Sequence, residues 1–280
     1  MKIALLNLES FVSTRGIKFL IENLHDDLAL ICLSKRFGGK YGSFLKQALK
    51  NYKRAGLRFV MYQSFNLVYF KPLAYVSYFI NRFLRRSAPI TPIRLLAKQN
   101  NIHIIRTYEP NDPIFVNYLK SQNIDLVITF YFDHILRKPL ISSVNVGAIN
   151  AHTAKLPMCK GAFPVFCSYL HNIEPTVTIH LIADETLDTG NILVQESYSL
   201  NYEIGLLNTE QELMYRAAKL MVKVINNIKS GSIESKQQLN EGFYMPFPNK
   251  NDIGEIVRRK QSLIGISKYV RAFYAAPNHI

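Results

Sequence analysis

The chain opens on an apolar run, KIALLNL, and the segment that follows carries Ile17, Leu20, Ile21 and Leu24 at helical spacing. A second apolar run, Leu28 to Leu33, comes next. Strand, helix and strand in succession predict a parallel α/β unit with a Rossmann-like start. The pattern then loses its alternation between Ser34 and Pro92 and becomes basic and aromatic, so this stretch reads as an insertion of mostly helical character. Regular patterning returns as a helix from Pro92 to Gln99, a strand from Ile102 to Ile105, a helix from Pro113 to Ser121 and a strand over 124–130.

The run Val144 to Ala148 leads into Asn150, and Thr176 to Ile182 alternates strictly before the loop DETLDTG and a further strand, NILVQESYSL. Thr209 followed by Glu212 predicts a capping box at the start of a helix whose face is Leu213, Ala217, Leu220, Met221, Val224 and Ile228. After Pro246 and Pro248 the pattern predicts one last helical stretch from about Asp252 to Phe273. The expected organisation is a domain over 1–235, carrying the insertion at 34–92, and a C-terminal extension over 236–280.

Composition narrows this picture only a little. With 280 residues, 48% hydrophobic and 19% charged, the chain folds by burial, and disorder or a fibrous class is excluded. Cys32, Cys159 and Cys167 are odd in number and lack paired spacing, which argues against a disulfide framework and against a zinc site, and points to a reducing compartment. The N-terminus lacks the pattern of a signal peptide, so the expected location is cytoplasmic. A net charge of +14 attracts nucleic acid, anionic lipid or phosphorylated small molecules without distinguishing them. Phe65 to Leu84, rich in Tyr and Phe with arginines nearby, is interrupted by Pro72 and by polar residues. A membrane span is therefore not expected; packing on the domain or a homodimer contact is the expected role, with a peripheral membrane contact as the alternative.

Candidate chemistry concentrates in INAHTAKLPMCKGAFP and TVTIHLIADETLDTGNIL. Asn150 and His152, two apart at a strand end, point to one side and can act on one atom. Asp188, before Thr189 and Gly190, could orient the imidazole and raise its pKa. Each residue alone reads as structural: a satisfied histidine, or a turn-forming aspartate. Together with Leu156, Pro157 and Gly161 they resemble the folate-dependent formyltransferase family, in which Asn-x-His, Leu-Pro-x-x-x-Gly, Thr-x-His and Asp-x-Gly follow in this order. The resemblance implies a Rossmann-like formyltransferase fold with a mainly parallel sheet, and N10-formyltetrahydrofolate as co-substrate with no metal. It implies that Asn150 stabilises an oxyanion, His152 transfers the proton and Asp188 tunes His152, with His180 left structural.

Upstream, TFYFDHILRKPL resembles the folate-holding turn of sugar-nucleotide formyltransferases, which implies folate contacts at His134, Ile135 and Leu136. Asp184, Glu185, Thr186, Leu187 and Asp188 correspond to the second folate-contacting segment. The chain departs from the family at Ala154, Lys160 and Ala162, which bears on the acceptor rather than on the reaction centre. Methionyl-tRNA formyltransferases carry a C-terminal barrel, and here SKYVRAFYAAP resembles its entry but only about ninety residues follow Gly190. The expected acceptor is a small phosphorylated amine, an amino-sugar nucleotide, with a methionyl-tRNA formyltransferase-like enzyme and a catalytically silent folate-binding homologue as the competing readings.

Overall fold

A computed structural model describes residues 1–38, 42–200, 202–238 and 242–274. Its centre is a seven-stranded sheet in the order β3-β2-β1-β4-β5-β6-β7. The strands are β1 (Ile3–Asn7), β2 (Leu28–Ser34), β3 (His103–Thr107), β4 (Leu126–Phe130), β5 (Gly147–His152), β6 (Thr176–Leu181) and β7 (Ile192–Ser197). The first five run parallel; β6 adds antiparallel to β5, and β7 pairs antiparallel with β6. Strands β1 and β4 are buried at every position, as expected for central parallel strands covered on both faces.

One face is covered by α1 (Phe11–Leu24) and the long α9 (Leu206–Lys229), whose apolar stripes share a core with Leu5, Ile31, Ile128 and Ile149 of the sheet. Ser10 caps α1 in a capping box with Ser13. The other face is covered by α6 (Pro113–Ser121) and α7 (Lys138–Ile141), packed on Ala4, Leu6, Val127 and Ala148. Between them in the chain lie α5 (Ile93–Gln99) and, after β5, α8 (Pro164–Leu170).

The insertion is helical, as its composition predicts: α2 (Phe44–Ala55), α3 (Leu57–Ser64), a π-helical turn over Phe65–Tyr69 and α4 (Phe70–Phe83). It is wired into the domain by buried polar contacts. Tyr62 donates to the Glu210 carboxylate at 2.5 Å, and Asn66 accepts from the Val12 backbone N–H at 3.2 Å while donating to the Tyr131 hydroxyl at 2.7 Å.

Four expectations need correction. Pro72 does not interrupt the helix; it is the third residue of α4, directly after the π turn, where the widened backbone leaves room for its ring. Helix α9 starts at Leu206, not at Thr209, because Gly205 (φ 91°) turns the chain into it; Thr209 Oγ1 donates back to the Gly205 carbonyl, and Glu212 pairs with Arg15 and Arg216. The last helical stretch is two helices, α10 (Lys250–Arg258) and α11 (Ile266–Arg271), separated by a non-helical link that ends on Gly265 in the left-handed region. Cys159 and Cys167 form a disulfide, overturning the argument from cysteine spacing; the loop leaving β5 folds back on α8 and brings the two Cα atoms to 5.6 Å, which no spacing rule anticipates.

The C-terminal segment belongs to the same core as the sheet: Ile253, Ile256, Tyr269 and Phe273 are buried in it. The SKYVRAFYAAP stretch that resembles the barrel entry runs to Pro277, and its last three residues lie outside the described residues. No helix among the described residues is long and apolar enough to cross a membrane.

Candidate active site

Asn150 and His152 project from the last turn of β5 to the face on which Ala148 packs, because side chains two apart on a strand share a face. The antiparallel register sets His180 of β6 opposite Asn150, and Thr178 opposite His152. The loop after β6 then returns across this end of the sheet and delivers Asp188, whose φ of 54° is a turn conformation that Asp tolerates. Gly190 makes that return feasible: a Cβ there would stand 1.8 Å from the Leu181 carbonyl oxygen.

The result is a connected polar cluster. Thr129 Oγ1 donates to Asn150 Oδ1 at 2.7 Å, and Asn150 Nδ2 lies 3.0 Å from His180 Nε2 and 3.4 Å from Asp188 Oδ1. Asp188 Oδ2 accepts from the Gly161 backbone N–H at 2.8 Å and lies 3.7 Å from His152 Nδ1. His152 Nε2 is 2.9 Å from the Cys159 carbonyl, and His180 Nδ1 is 2.8 Å from the Leu181 carbonyl. A carbonyl only accepts, so both ring nitrogens facing one carry the hydrogen. His180 Nε2 then accepts from Asn150, and His152 Nδ1 is left as a free lone pair beside the carboxylate.

Electrostatics follow from this burial. Burial pushes the His152 pKa down, and although Asp188 opposes that shift, the net direction is below 6.5. The expectation that Asp188 leaves His152 with a raised pKa therefore holds for the sign of the carboxylate's influence but not for the outcome. Asp188 is largely enclosed, which alone would raise its pKa; the imidazoles of His152 and His180 and the Gly161 N–H outweigh this and hold it well below 3.8. The resting state is an ionised Asp188 beside a neutral His152.

The motif glycine at 161 has a double duty. Its N–H anchors Asp188, and its φ of 117° together with a Met245 carbonyl oxygen 2.5 Å from a would-be Cβ leaves no space for a side chain. The same loop is clamped by the C-terminal segment, since Met245 N donates to Lys160 O at 2.9 Å.

Asn150, His152 and Asp188 thus converge, and His180, assigned only a structural role from the sequence, sits among them in contact with two of the three. Its signal was the strict alternation of TVTIHLI, but the register that sets it opposite Asn150 is a property of strand pairing. The proposed folate-contacting residues are arranged differently. His134 lies 3.1 Å from Ser34 Oγ at the end of β2, Leu136 is buried in the α6-side core, and Ile135 is half exposed. Of the 184–188 loop, only Asp188 enters the cluster; Asp184 accepts from the Thr186 N–H in a local turn, Glu185 is exposed and Leu187 presents its side chain to solvent. Both loops rise from one face, where Leu136 and Ile182 share a core.

Comparison with known proteins gives this arrangement a family. The family model described as formyl transferase matches residues 82–227, just over half of the chain and all four motifs. The chain belongs to the formyl transferase family.

Among relatives of this formyl transferase, the methionyl-tRNA formyltransferase of Clostridioides difficile is 27% identical over 190 residues, 66% of this chain and 62% of that protein. That of Thermodesulfovibrio yellowstonii is 31% identical over 160 residues, 57% and 52% of the two chains. The chain therefore spans less than two thirds of the length of these relatives. Among solved structures, a formyltransferase from Anoxybacillus kamchatkensis, in complex with UDP-4,6-dideoxy-4-formamido-L-AltNAc and tetrahydrofolate, is 25% identical, with a TM-score of 0.50 over 64% of this chain and 93% of that one. A sugar N-formyltransferase from Shewanella shares the fold across 99% of this chain and 90% of its own, with a TM-score of 0.55 at 14% identity.

Proposed function

We propose that this chain transfers a formyl group from N10-formyltetrahydrofolate to the amine of an amino-sugar nucleotide. The observation that carries the reading is the cluster itself: a neutral, buried His152 with one free ring nitrogen beside an ionised Asp188, next to an Asn150 amide held between Thr129 and His180. Attack of an amine on a formyl carbon puts negative charge on the formyl oxygen and leaves a proton on the attacking nitrogen. Asn150 Nδ2 is the donor for that oxygen, pre-oriented because Thr129 fixes its Oδ1. His152 Nδ1 takes the proton, and Asp188 stabilises the imidazolium for as long as it carries it. Returning that proton to the departing nitrogen resets His152 to its neutral state.

Formyl folate would supply an activated formyl carbon and a nitrogen leaving group. The residues present suit it: Ile135 and Leu187 offer apolar surface from two loops on the face to which Asn150 projects, and Asp184 and Glu185 add exposed carboxylates for a ring that donates hydrogen bonds. The likeness to the Anoxybacillus enzyme, which spans nearly all of that protein, supports the sugar-nucleotide acceptor. A methionyl-tRNA acceptor is the second reading, favoured by the sequence relatives.

The test is release of tetrahydrofolate from N10-formyltetrahydrofolate in the presence of amino-sugar nucleotides, glycinamide ribonucleotide or charged initiator tRNA. Turnover with an amino-sugar nucleotide is the expected result. Formylation of initiator methionyl-tRNA alone would replace the acceptor, and no folate turnover with any amine would leave a silent folate-binding homologue.

A further inference from the structure

The excess positive charge of this chain lies in one segment. Residues 28–108 hold fifteen lysines and arginines and no aspartate or glutamate, whereas the remaining residues hold nineteen cations against twenty acids. The whole net charge of +14 therefore resides in the insertion and its flanks.

Within that segment α4 buries one side in the domain and carries an apolar stripe on the other. Its buried stripe is Phe70, Ala74, Ser77 and Asn81. At 3.6 residues per turn, Val76, Phe79, Ile80 and Phe83 fall on the far side, and they face solvent with exposures of 48%, 60%, 42% and 88%. Directly beyond follow Arg85 and Arg86, exposed like Arg82 and without a carboxylate partner among the described residues. An outward stripe of large apolar side chains beside unpaired cations is the pattern of a helix lying in a membrane interface. No helix among the described residues is long and apolar enough to cross one.

We infer that this face of α4 docks on an anionic bilayer surface, with Phe79 and Phe83 among the acyl chains and Arg82, Arg85 and Arg86 at the headgroups. Charge complementarity selects this occupant. A second copy meeting the same patch across a two-fold axis would set Arg82, Arg85 and Arg86 against their own counterparts, and residues 28–108 hold no acid to pair with them. A nucleic acid would satisfy the arginines but leave the aliphatic Val76 and Ile80 uncovered. A bilayer takes up both kinds of side chain.

The chain contains no tryptophan, so Phe83→Trp gives a single reporter at the proposed contact. Its emission should shift to shorter wavelength with phosphatidylcholine vesicles containing phosphatidylglycerol, and not with phosphatidylcholine alone. In flotation of the full chain, Phe79→Ser with Phe83→Ser should weaken partitioning at least tenfold. Arg82→Gln, Arg85→Gln and Arg86→Gln together should weaken it on the order of a hundredfold, about fivefold per cation, and flatten its salt dependence. All five side chains are exposed, and an unchanged melting curve checks each variant's fold. The proposal is overturned by absent or charge-independent vesicle binding. It is equally overturned if the serine variant instead dissociates a dimer in sedimentation, or if the chain binds tRNA but not vesicles at the same salt.

Discussion

The proposed role of His152 requires a neutral imidazole, and burial, which lowers its pKa, favours that state. Replacing His152 or Asn150 by Ala should each lower formyl transfer by about a hundredfold, the scale of losing a general base or an oxyanion donor. Single-turnover formyl transfer checks this, and near-normal rates in either variant would sink the proposed centre. Asp188 acts on the same proton from the other side. Its carboxylate raises the His152 pKa against burial, so Asp188→Asn should move the His-linked limb of the pH profile to lower pH while reducing the plateau. The sign also appears in stability. A folded pKa below 6.5 means that the unfolded chain binds the proton first, so the contribution of His152 is complete above pH 6.5 and is lost as pH falls toward the folded value. For Asp188 the same loss begins only below pH 3.8.

Between elements, the insertion and α9 meet at a buried Tyr62 and Glu210 pair, and Glu210 has no ion-pair partner among the described residues. Burial raises the Glu210 pKa to about 7, and the Tyr62 hydrogen bond offsets only part of that shift. A raised carboxyl pKa contributes stability that is full below the unfolded value of 4.5 and lost as pH rises through about 7. Glu210→Gln keeps an acceptor for Tyr62 and removes the ionisation, so it should stabilise the protein above pH 7 by up to about 3 kcal/mol and have little effect below pH 4.5. Urea melts across pH 4 to 9 test this. The loop that carries Gly161 offers a second check at this scale. Gly161→Ala forces a side chain into left-handed backbone against the Met245 carbonyl, at a cost of about 1–3 kcal/mol. It should also weaken catalysis by displacing the N–H that holds Asp188, read as a fall in kcat beyond any change in KM.

At the level of the whole molecule, the segment after residue 235 packs into the core and clamps the loop that carries Gly161. Ile253, Ile256, Leu263, Tyr269 and Phe273 are all buried. At about 2 kcal/mol for each large apolar side chain, their loss removes roughly 10 kcal/mol, as much as the total stability of a typical domain. A chain ending at residue 235 should therefore show no cooperative thermal unfolding, and a sharp transition in that truncation would show that the segment is dispensable.

Much of this protein is legible in its sequence, because the parallel strands are buried on both faces and their apolar runs, with the helices between them, are local patterns. The helical insertion, the strand end bearing Asn150 and His152, and the loop bearing Asp188 follow from the same reading, and the motifs that carry the family resemblance are short and contiguous. What escaped it depends on partners distant in the chain. His180 joins the centre through the β5–β6 register, and the Cys159–Cys167 bond through a loop that folds back on α8. The start of α9 is set by a glycine fitted against Gly265, and the lowered His152 pKa by how much protein surrounds the ring. Periodicity encodes which face of an element is buried; only the tertiary structure decides what that face meets, and desolvation, register and steric clearance all depend on what is met.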